Sequence, residues 1–285
     1  SLNQKLEFLQ KQITGFPSAL LAFSGGTDST LLAFVSKEVL GGNLHIVTAT
    51  SPVYPQSELD DVQRISALLG LEPDFIEPDL FSIPEFVNNP PERCYYCKKK
   101  LFTSIVEMAE KRNISAVFDG SNRSDESDFR PGRKALNELG IISPLSLADM
   151  SKTDIYALSR YFKLPTANKA SMACLASRFP YGEAITREKL ARVEKAEKAL
   201  HDQGYNQLRV RSHGDLARLE LSPQEIQKGF SERDKLTDLL KQCGFTWCCI
   251  DLQGYRTGAM NEILNNEKIT NIEYRISKCP DGERK

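Results

Sequence analysis

The sequence predicts an α/β protein in which a doubly wound parallel sheet is followed by a smaller C-terminal α+β domain. Apolar runs that end in glycine or polar residues alternate with helical patterns in the first part of the chain. This alternation is typical of a parallel sheet whose faces are covered by helices. From Thr186 onward a long charged helix and a hairpin pattern replace it. We therefore predict two domains, residues 1–175 and 176–285, joined through a loop-rich connector at residues 165–185.

In the first domain, strands and helices are expected to alternate because each apolar run is followed by a segment with helical spacing. The predicted strands are "SALLAFSGG", "LHIVTATS", "PDFIEP" and "ISAVFDGSN". The predicted helices are residues 3–14, residues 28–39, "SELDDVQRISALLG" with an N-cap serine, "CKKKLFTSIVEMAEKRN", and "SKTDIYALSRYFKL" ending before Pro165.

In the second domain the pattern is that of a small α+β unit. "TREKLARVEKAEKALHDQGY" predicts a long charged helix, and "NQLRVRSHGDLARLELS" alternates like a hairpin. The remaining predicted elements are "PQEIQKGFSERDKLTDLLKQCGF" as helices and "TWCCIDLQGY" as a strand.

Composition narrows the function classes. The chain has 285 residues, with 37 Lys and Arg against 38 Asp and Glu, so its overall charge favours neither nucleic acid nor a membrane surface. No apolar run approaches the roughly 20 residues of a membrane span. Seven cysteines are an odd number for a fully disulfide-bonded secreted framework. These features predict a cytoplasmic protein.

The segment "SGGTDS" lies directly between a predicted strand and a predicted helix. Its residues Ser24, Gly25, Gly26, Asp28 and Ser29 predict a phosphate-binding loop. Two glycines allow a tight turn, several N–H groups converge, and the helix adds its positive end. The pattern GxxxxGK[ST] is missing, which excludes the common nucleoside-triphosphate loop. The alternative is a plain turn in which Asp28 and Ser29 only start the helix.

Three cysteines are candidate functional residues. "PERCYYCKKK" places Cys94 and Cys97 three positions apart, a spacing shared by zinc knuckles, redox pairs and iron–sulfur ligands. Cys174, in "SMACLASRFPYG", is flanked by small residues and followed by Arg178, whose charge would favour a thiolate. The alternative for Cys174 is a small buried hydrophobe. The other cysteines are predicted to be structural or incidental: Cys243, Cys248, Cys249 and Cys279.

The loop "SGGTDS" resembles the PP-loop of N-type ATP pyrophosphatases, which have a HUP-like fold and split ATP into AMP and pyrophosphate. The resemblance implies that the five loop residues hold pyrophosphate, with Mg²⁺ at Asp28. A bridging cation is reasonable because an anionic side chain beside phosphates would otherwise repel them. It also implies that the adenine meets the second strand around Thr48 and Ser51.

Together the loop, "CYYCK" and the connector resemble the LarE family of ATP-dependent sulfur transferases, which build the nickel-pincer nucleotide cofactor of lactate racemase. The match runs over nearly the whole chain, including "FDGSNRSDESDFRPGRKAL", "ACLASRFPYG" and "LRVRSHGDLARLE". The resemblance implies a pyridinium mononucleotide substrate whose two ring carboxylates are adenylated and converted to thiocarboxylates. It also implies a sulfide donor and a homo-oligomer, with a hexamer as one form.

Two sulfur sources are implied by the resemblance. In one subclass a single cysteine, here Cys174, gives up its own sulfur and becomes dehydroalanine. In the other, three cysteines, here Cys94, Cys97 and Cys174, hold a [4Fe–4S] cluster whose fourth iron carries sulfide. Three thiolates leave one iron open, as delivery of sulfide requires. We favour the cluster, while zinc and the sacrificial route remain open.

Further candidates follow the cysteine pair and the strand that ends in "DGSN". At least one of three lysines could neutralise the leaving pyrophosphate; the alternative is a solvated basic turn. They are Lys98, Lys99 and Lys100. Gly120 lies at a strand end, where ligands bind in open parallel sheets. Arg130 and Arg133 could hold a phosphate or carboxylate, or be surface residues.

In the second domain Arg209 and Arg211 alternate with apolar residues, so both face one side of a strand. The family resemblance makes them ligands of the nucleotide substrate. Glu194 and Glu197 share a helix face, and Glu220 lies on the partner strand. The resemblance suggests that these glutamates bind a metal, although we favour a solvated charged face for them.

Two other functions remain open at this point. Related PP-loop enzymes with three-cysteine clusters thiolate tRNA, which requires a basic RNA-binding surface that this composition does not favour. A non-enzymatic module that senses ATP would leave the three cysteines unexplained.

Overall fold

A computed structural model describes the chain over residues 1–126, 131–169, 173–256 and 258–262. The chain divides into two compact units. The first unit comprises Ser1–Leu175 and Tyr181–Arg187; the second comprises Ala176–Pro180 and the chain from Glu188 onward. The connector after Cys174 therefore contributes residues to both units.

A four-stranded parallel sheet forms the centre of the first unit, in the order β3-β2-β1-β4. Its strands are β1 (Ala19–Ala22), β2 (Leu44–Ala49), β3 (Pro73–Ile76) and β4 (Val117–Phe118). Ala19 pairs with Leu44, and Ile46 pairs with Pro73. Because neighbouring strands are parallel and follow one another through helices, the sheet has the doubly wound arrangement that the sequence predicts.

Helices cover both faces of this sheet. They are α1 (Leu2–Thr14), α2 (Thr27–Leu40), α3 (Gln56–Leu68), α4 (Pro84–Val87), α5 (Arg93–Lys111), α6 (Gly132–Glu138), α7 (Pro144–Leu147) and α8 (Lys152–Tyr161). Neighbouring residues of β1 point to opposite faces: Leu21 packs in the core cluster of α1, α2 and α8, and Leu20 packs against Phe102 and Ile105 of α5. Continuous burial of β1 explains why its sequence is apolar at every position.

The helix starts show where local sequence rules succeed and where they fail. Ser151 caps α8, and its hydroxyl accepts a hydrogen bond from the N–H of Asp154 in a capping box. The predicted serine cap of α3 is wrong, because Pro55 stands at the cap position and Ser57 lies inside the helix. Helix α5 begins at Arg93, so both cysteines of the pair lie in its first turn and a half.

Among its described residues, the second unit contains a three-stranded mixed sheet with three helices. Its elements are α9 (Arg187–Asp202), β5 (Leu208–His213), β6 (Leu216–Leu221), α10 (Ile226–Ser231), α11 (Arg233–Gln242) and β7 (Trp247–Ile250). Strands β5 and β6 form the antiparallel hairpin that the alternation predicts, and β7 joins β6 in parallel. Gly214 has φ of 59° in the two-residue hairpin turn, a conformation that favours glycine.

The α/β fold class predicted from the sequence is confirmed, with a parallel sheet in the first unit and a separate mixed sheet in the second. Within the described ranges, no helix combines the length and apolar character needed to cross a bilayer.

We predict that Asp154→Asn destabilises the first unit in a pH-dependent way. Partial burial alone would raise the pKa of Asp154, but hydrogen bonds from Lys5 and Ser151 outweigh it and lower the pKa to about 2. The ionised carboxylate therefore stabilises the fold above its unfolded pKa, and this contribution is lost as pH falls from about 4 to about 2. Urea unfolding at pH 7 should show a loss of about 1–2 kcal/mol.

The control is Glu7→Gln, which removes an exposed carboxylate from the helix that carries Lys5. Its free energy of unfolding should match that of the unchanged protein. A difference between Asp154→Asn and the unchanged protein that stays constant from pH 5 to pH 2 would contradict the role of the ionised carboxylate.

Candidate functional site

A cavity of about 310 Å³ opens at the carboxyl end of the parallel sheet in the first unit. The turns after β1, β2 and β4 meet there, together with the facing sides of α3 and α5. The carboxyl ends of parallel strands are the usual ligand site of such sheets. Polar residues that line the cavity include Ser24, Asp28, Ser29, Thr48, Tyr54, Glu58, Lys98, Asp119 and Ser121.

The predicted phosphate loop forms one wall of the cavity. Gly25 has φ of 65°, and a Cβ there would lie 3.2 Å from Cγ2 of Val62, so both conformation and space favour glycine. The hydroxyl oxygens of Ser24 and Ser29 lie 3.1 Å apart, and the N–H of Gly26 points at Ser24 Oγ over 3.4 Å. The N-terminus of α2 lies behind them, and such an arrangement of donors favours an anion.

The neighbouring strands complete the wall. Thr48 is buried and lines the cavity, but its hydroxyl donates to the carbonyl of Phe23 at 2.7 Å. Ser51 is also buried, and its Oγ has no hydrogen-bond partner in the part of the chain that the structure describes. Gly120, in the turn after β4, lets that turn approach the phosphate loop: a Cβ would lie 3.2 Å from the backbone nitrogen of Ser29.

Asp28 has a partner that the sequence reasoning missed. Both carboxylate oxygens lie 2.7 Å from Nζ of Lys152, the first residue of α8. The ammonium group therefore compensates a negative charge that would otherwise repel phosphates. The position of Lys152 directly after the capping serine in "MSKTD" places it at a helix start, but the sequence contains no sign of its partner.

Of the three lysines after the cysteine pair, Lys98 lines the cavity. Its stem crosses Gly132 closely, since a Cβ on that glycine would lie 2.6 Å from Cδ of the lysine. Lys99 instead binds the carboxylate of Glu138 and the hydroxyl of Tyr95 at the surface. Lys100 is exposed and does not line the cavity, so Lys98 is the best placed of the three to contact a ligand there.

The three predicted cysteines lie near one another beside the cavity. Burial, and next the charge of Cys174, raise the pKa of Cys94; burial, Cys174 and Cys94 raise the pKa of Cys97 to about 12. Tyr54, which lines the cavity, has a pKa raised by burial and then by Cys97 and Cys174. The N–H of Leu175 donates to the carbonyl of Val53 at 2.8 Å, which fixes the residue after Cys174.

Among the described residues, no three His, Cys, Asp or Glu side chains are gathered in a way that could hold a metal ion. The zinc alternative for the cysteine pair stays open.

In the second unit, two of the predicted glutamates are buried ion-pair partners. Glu197 receives two hydrogen bonds from Arg178, at 2.8 and 2.9 Å. Glu220 binds Arg211 at 2.9 Å and Arg218 at 3.1 Å. The preference for a solvated charged face is wrong for Glu197 and Glu220, because both are buried. A buried carboxylate needs such pairing because burial removes its hydration.

The remaining predicted residues of the second unit are Glu194 and Arg209. Glu194 lies half-buried on α9. Arg209 is 8% exposed, donates to the carbonyl of Leu208 at 2.7 Å, and lies 5.1 Å from the ring centre of Tyr255. Burial and then Arg178 lower its pKa. Within the described ranges it forms no salt bridge.

Arg133 lies in α6. Two predicted residues, Arg130 and Cys279, lie outside the described part of the chain.

Comparison with known proteins decides the family. The chain is 37% identical over 250 residues to pyridinium-3,5-bisthiocarboxylic acid mononucleotide synthase of Lactiplantibacillus plantarum, covering 87% of this chain and 91% of the relative. This chain belongs to the LarE family. It is also 40% identical over 265 residues to an uncharacterized protein of Synechocystis, covering 92% of this chain and 99% of that protein. No protein-family model matches the chain.

More distant relatives support the superfamily. An NH₃-dependent NAD⁺ synthetase of Fusobacterium nucleatum is 28% identical over 176 residues, covering 57% of this chain and 64% of the relative. The predicted relation of this LarE protein to the PP-loop ATP pyrophosphatases is thus confirmed, and so is its class as an ATP-dependent sulfurtransferase.

We predict that Lys152→Met raises the KM for ATP by about tenfold, because Asp28 then faces the phosphates without the compensating charge of this lysine. Initial rates of pyrophosphate release at several ATP concentrations measure this. The control, Lys163→Met, removes an exposed lysine two residues beyond α8 and should leave the KM unchanged. An unchanged KM in Lys152→Met would show that the ion pair does not affect nucleotide binding.

Proposed function

We propose that this LarE protein uses ATP to adenylate the ring carboxylates of a pyridinium-3,5-biscarboxylic acid mononucleotide and converts them to thiocarboxylates. The observation that carries the proposal is the arrangement at Tyr54, where a cavity with a phosphate loop borders three cysteines. A phosphate site supports activation by ATP, and thiols beside it support sulfur transfer. The product named in the Lactiplantibacillus relative supplies the substrate class.

In the adenylation step, a substrate carboxylate oxygen attacks the α-phosphorus of ATP and the bond to pyrophosphate breaks. The loop hydroxyls of Ser24 and Ser29, the N–H of Gly26 and the N-terminus of α2 hold the pyrophosphate as its charge develops. The ammonium of Lys98 compensates further charge from the opposite wall. Thr48 and Ser51 border the adenine in this proposal.

Mg²⁺ would enter with the ATP phosphates and bind Asp28. One carboxylate plus substrate phosphates is a common arrangement for this ion. Both oxygens of Asp28 already contact Lys152, so the carboxylate would share its charge between the ion and the lysine. When bound, the ion supplies charge compensation for the leaving pyrophosphate.

The donor set of Cys94, Cys97 and Cys174 fits an iron–sulfur cluster. All three donors are soft thiols, two of them lie at the N-terminal end of α5, and the buried cation Arg93 adjoins that pair. A helix N-terminus and a guanidinium both favour anionic sulfur. A [4Fe–4S] cluster held by these cysteines would supply sulfide from an exogenous donor at its fourth iron. The sacrificial use of Cys174 is the alternative.

For the nucleotide phosphate of the substrate, Arg209 is the best candidate in the second unit. Its guanidinium is buried and lacks a salt bridge within the described ranges, whereas Arg211 is already bound to Glu220 and to the carbonyl of Ser177. A metal role for Glu197 or Glu220 would require release of their arginines. That role, and the one assigned to Glu194, stay predictions.

The proposed reaction is tested by incubating the protein anaerobically with ATP, Mg²⁺, sulfide and the biscarboxylate mononucleotide. We expect pyrophosphate release that depends on the mononucleotide, and a product in which sulfur replaces oxygen by mass. Nicotinic acid mononucleotide, with one carboxylate, is the control substrate. Pyrophosphate release that requires tRNA would instead favour tRNA thiolation, and ATP binding with no turnover of any acid would favour a sensor.

The sulfur source is tested separately by anaerobic reconstitution with iron and sulfide. We expect the broad visible absorption of an iron–sulfur cluster in the unchanged protein, and its loss in the triple variant Cys94→Ser, Cys97→Ser, Cys174→Ser. The control Cys249→Ser removes an exposed cysteine of the second unit and should keep the absorption. Loss of H₂S from Cys174 during turnover, seen by mass, would establish the sacrificial route instead.

A further inference from the structure

Thr27 occupies the one position of "SGGTDS" to which the phosphate-binding pattern assigns no role. The side chain is 5% exposed and is not among those that line the cavity. Its hydroxyl oxygen lies 3.0 Å from the carbonyl of Thr166 and 3.4 Å from the carbonyl of Lys169. Thr27 thus faces the connector, while its neighbours in the loop face the cavity.

Lys169 of the connector also contacts the phosphate loop with its own side chain. The ammonium donates to the carbonyl of Gly25 at 3.2 Å and pairs with Asp61 at 2.8 Å. Burial opposes ionisation of Asp61, but the hydrogen bonds from Lys169 and Arg64 outweigh it and hold its pKa below the ordinary value. The connector is therefore bound to the phosphate loop at two residues, Gly25 and Thr27.

The bond to Gly25 also affects the anion site. In a trans peptide the carbonyl of one residue and the N–H of the next point in opposite directions. With the Gly25 carbonyl directed at Lys169, the N–H of Gly26 points the other way, towards Ser24 Oγ. The contact that holds the connector thus also orients a phosphate donor.

Cys174 lies five residues beyond Lys169, which limits their separation to about 17 Å even for a fully extended chain. On its other side, Leu175 is fixed by the hydrogen bond from its N–H to the carbonyl of Val53, in the turn between β2 and α3. Cys174 is therefore held between one anchor on the phosphate loop and a second anchor beside Tyr54.

We propose that Thr27 and Lys169 are positioning residues that fix the cysteine-bearing connector to the phosphate loop and so hold Cys174 at a fixed position relative to the ATP site. This inference rests on the proposed function for its meaning in turnover, because sulfur transfer must follow adenylation at the same carboxyl carbon. The anchoring itself is a property of the chain that can be measured without substrate.

The decisive variant is Thr27→Val, which keeps the shape of the side chain and removes the hydroxyl. We expect pyrophosphate release and the KM for ATP to stay close to those of the unchanged protein. The yield of thiocarboxylate per pyrophosphate should fall at least about tenfold, since small displacements of a reacting group cost this much or more. The activated carboxylate is then lost to water.

Two matched controls accompany it. Thr27→Ser retains the hydroxyl and should restore the yield. Thr30→Val makes the same chemical change one turn further along α2, at a fully buried threonine whose hydroxyl has no partner within the described ranges. It should behave like the unchanged protein, which separates loss of the anchor from a general effect of valine in this helix.

A second readout needs neither substrate nor cluster. In the iron-free protein, alkylation by iodoacetamide is followed by peptide mass, with Cys249 as the internal reference because it is an exposed cysteine of the second unit, outside the connector. Thr27→Val should raise the rate at Cys174 relative to Cys249 several-fold. Lys169→Met should raise this ratio of alkylation rates as well, and it provides the test if Thr27→Val folds poorly.

An unchanged ratio of alkylation rates in both Thr27→Val and Lys169→Met would overturn the proposal. It would also be overturned if pyrophosphate release and thiocarboxylate yield fell in equal proportion, because Thr27 would then act on the ATP site or on folding. If the unchanged protein releases no pyrophosphate with the mononucleotide, the proposed function fails and the alkylation ratio alone decides the inference.

Discussion

The ion pair between Asp28 and Lys152 is the interaction on which the first unit's site depends. A loop that binds phosphate and also carries a carboxylate must compensate that carboxylate, and here both oxygens contact one ammonium group. The lysine is in place because Ser151 and Asp154 form the capping box that starts α8. Asp154 in turn binds Lys5, so α1, α8 and the phosphate loop are joined by one series of polar contacts.

At Cys97, burial has a larger effect on the pKa of the thiol than the nearby positive charges do. The N-terminus of α5, Arg93 and Lys98 all favour a thiolate, yet desolvation raises the pKa of Cys97 to about 12.

Local sequence patterns predicted the strands and the longer helices, because strand burial and helix periodicity are properties of neighbouring residues, but they did not predict the short helices α4, α6 and α7. The phosphate loop could be located for the same reason. Lys152 and Thr27 could not be assigned roles, since their partners lie 124 and 139 positions away in the chain. Alternation placed Arg209 and Arg211 on one face of β5, but it could not show that this face, with Glu220, is buried.

In the described part of the second unit, buried arginines outnumber buried glutamates. Among the described residues of this unit, three arginines are at least nine-tenths buried, Arg178, Arg209 and Arg211, whereas two glutamates, Glu197 and Glu220, are buried to that extent. The pairs Arg178 with Glu197 and Arg211 with Glu220 use both carboxylates. A buried guanidinium that forms no salt bridge within the described ranges is costly, so an anion at Arg209 would stabilise this arrangement. The phosphate of the proposed mononucleotide substrate would be such an anion.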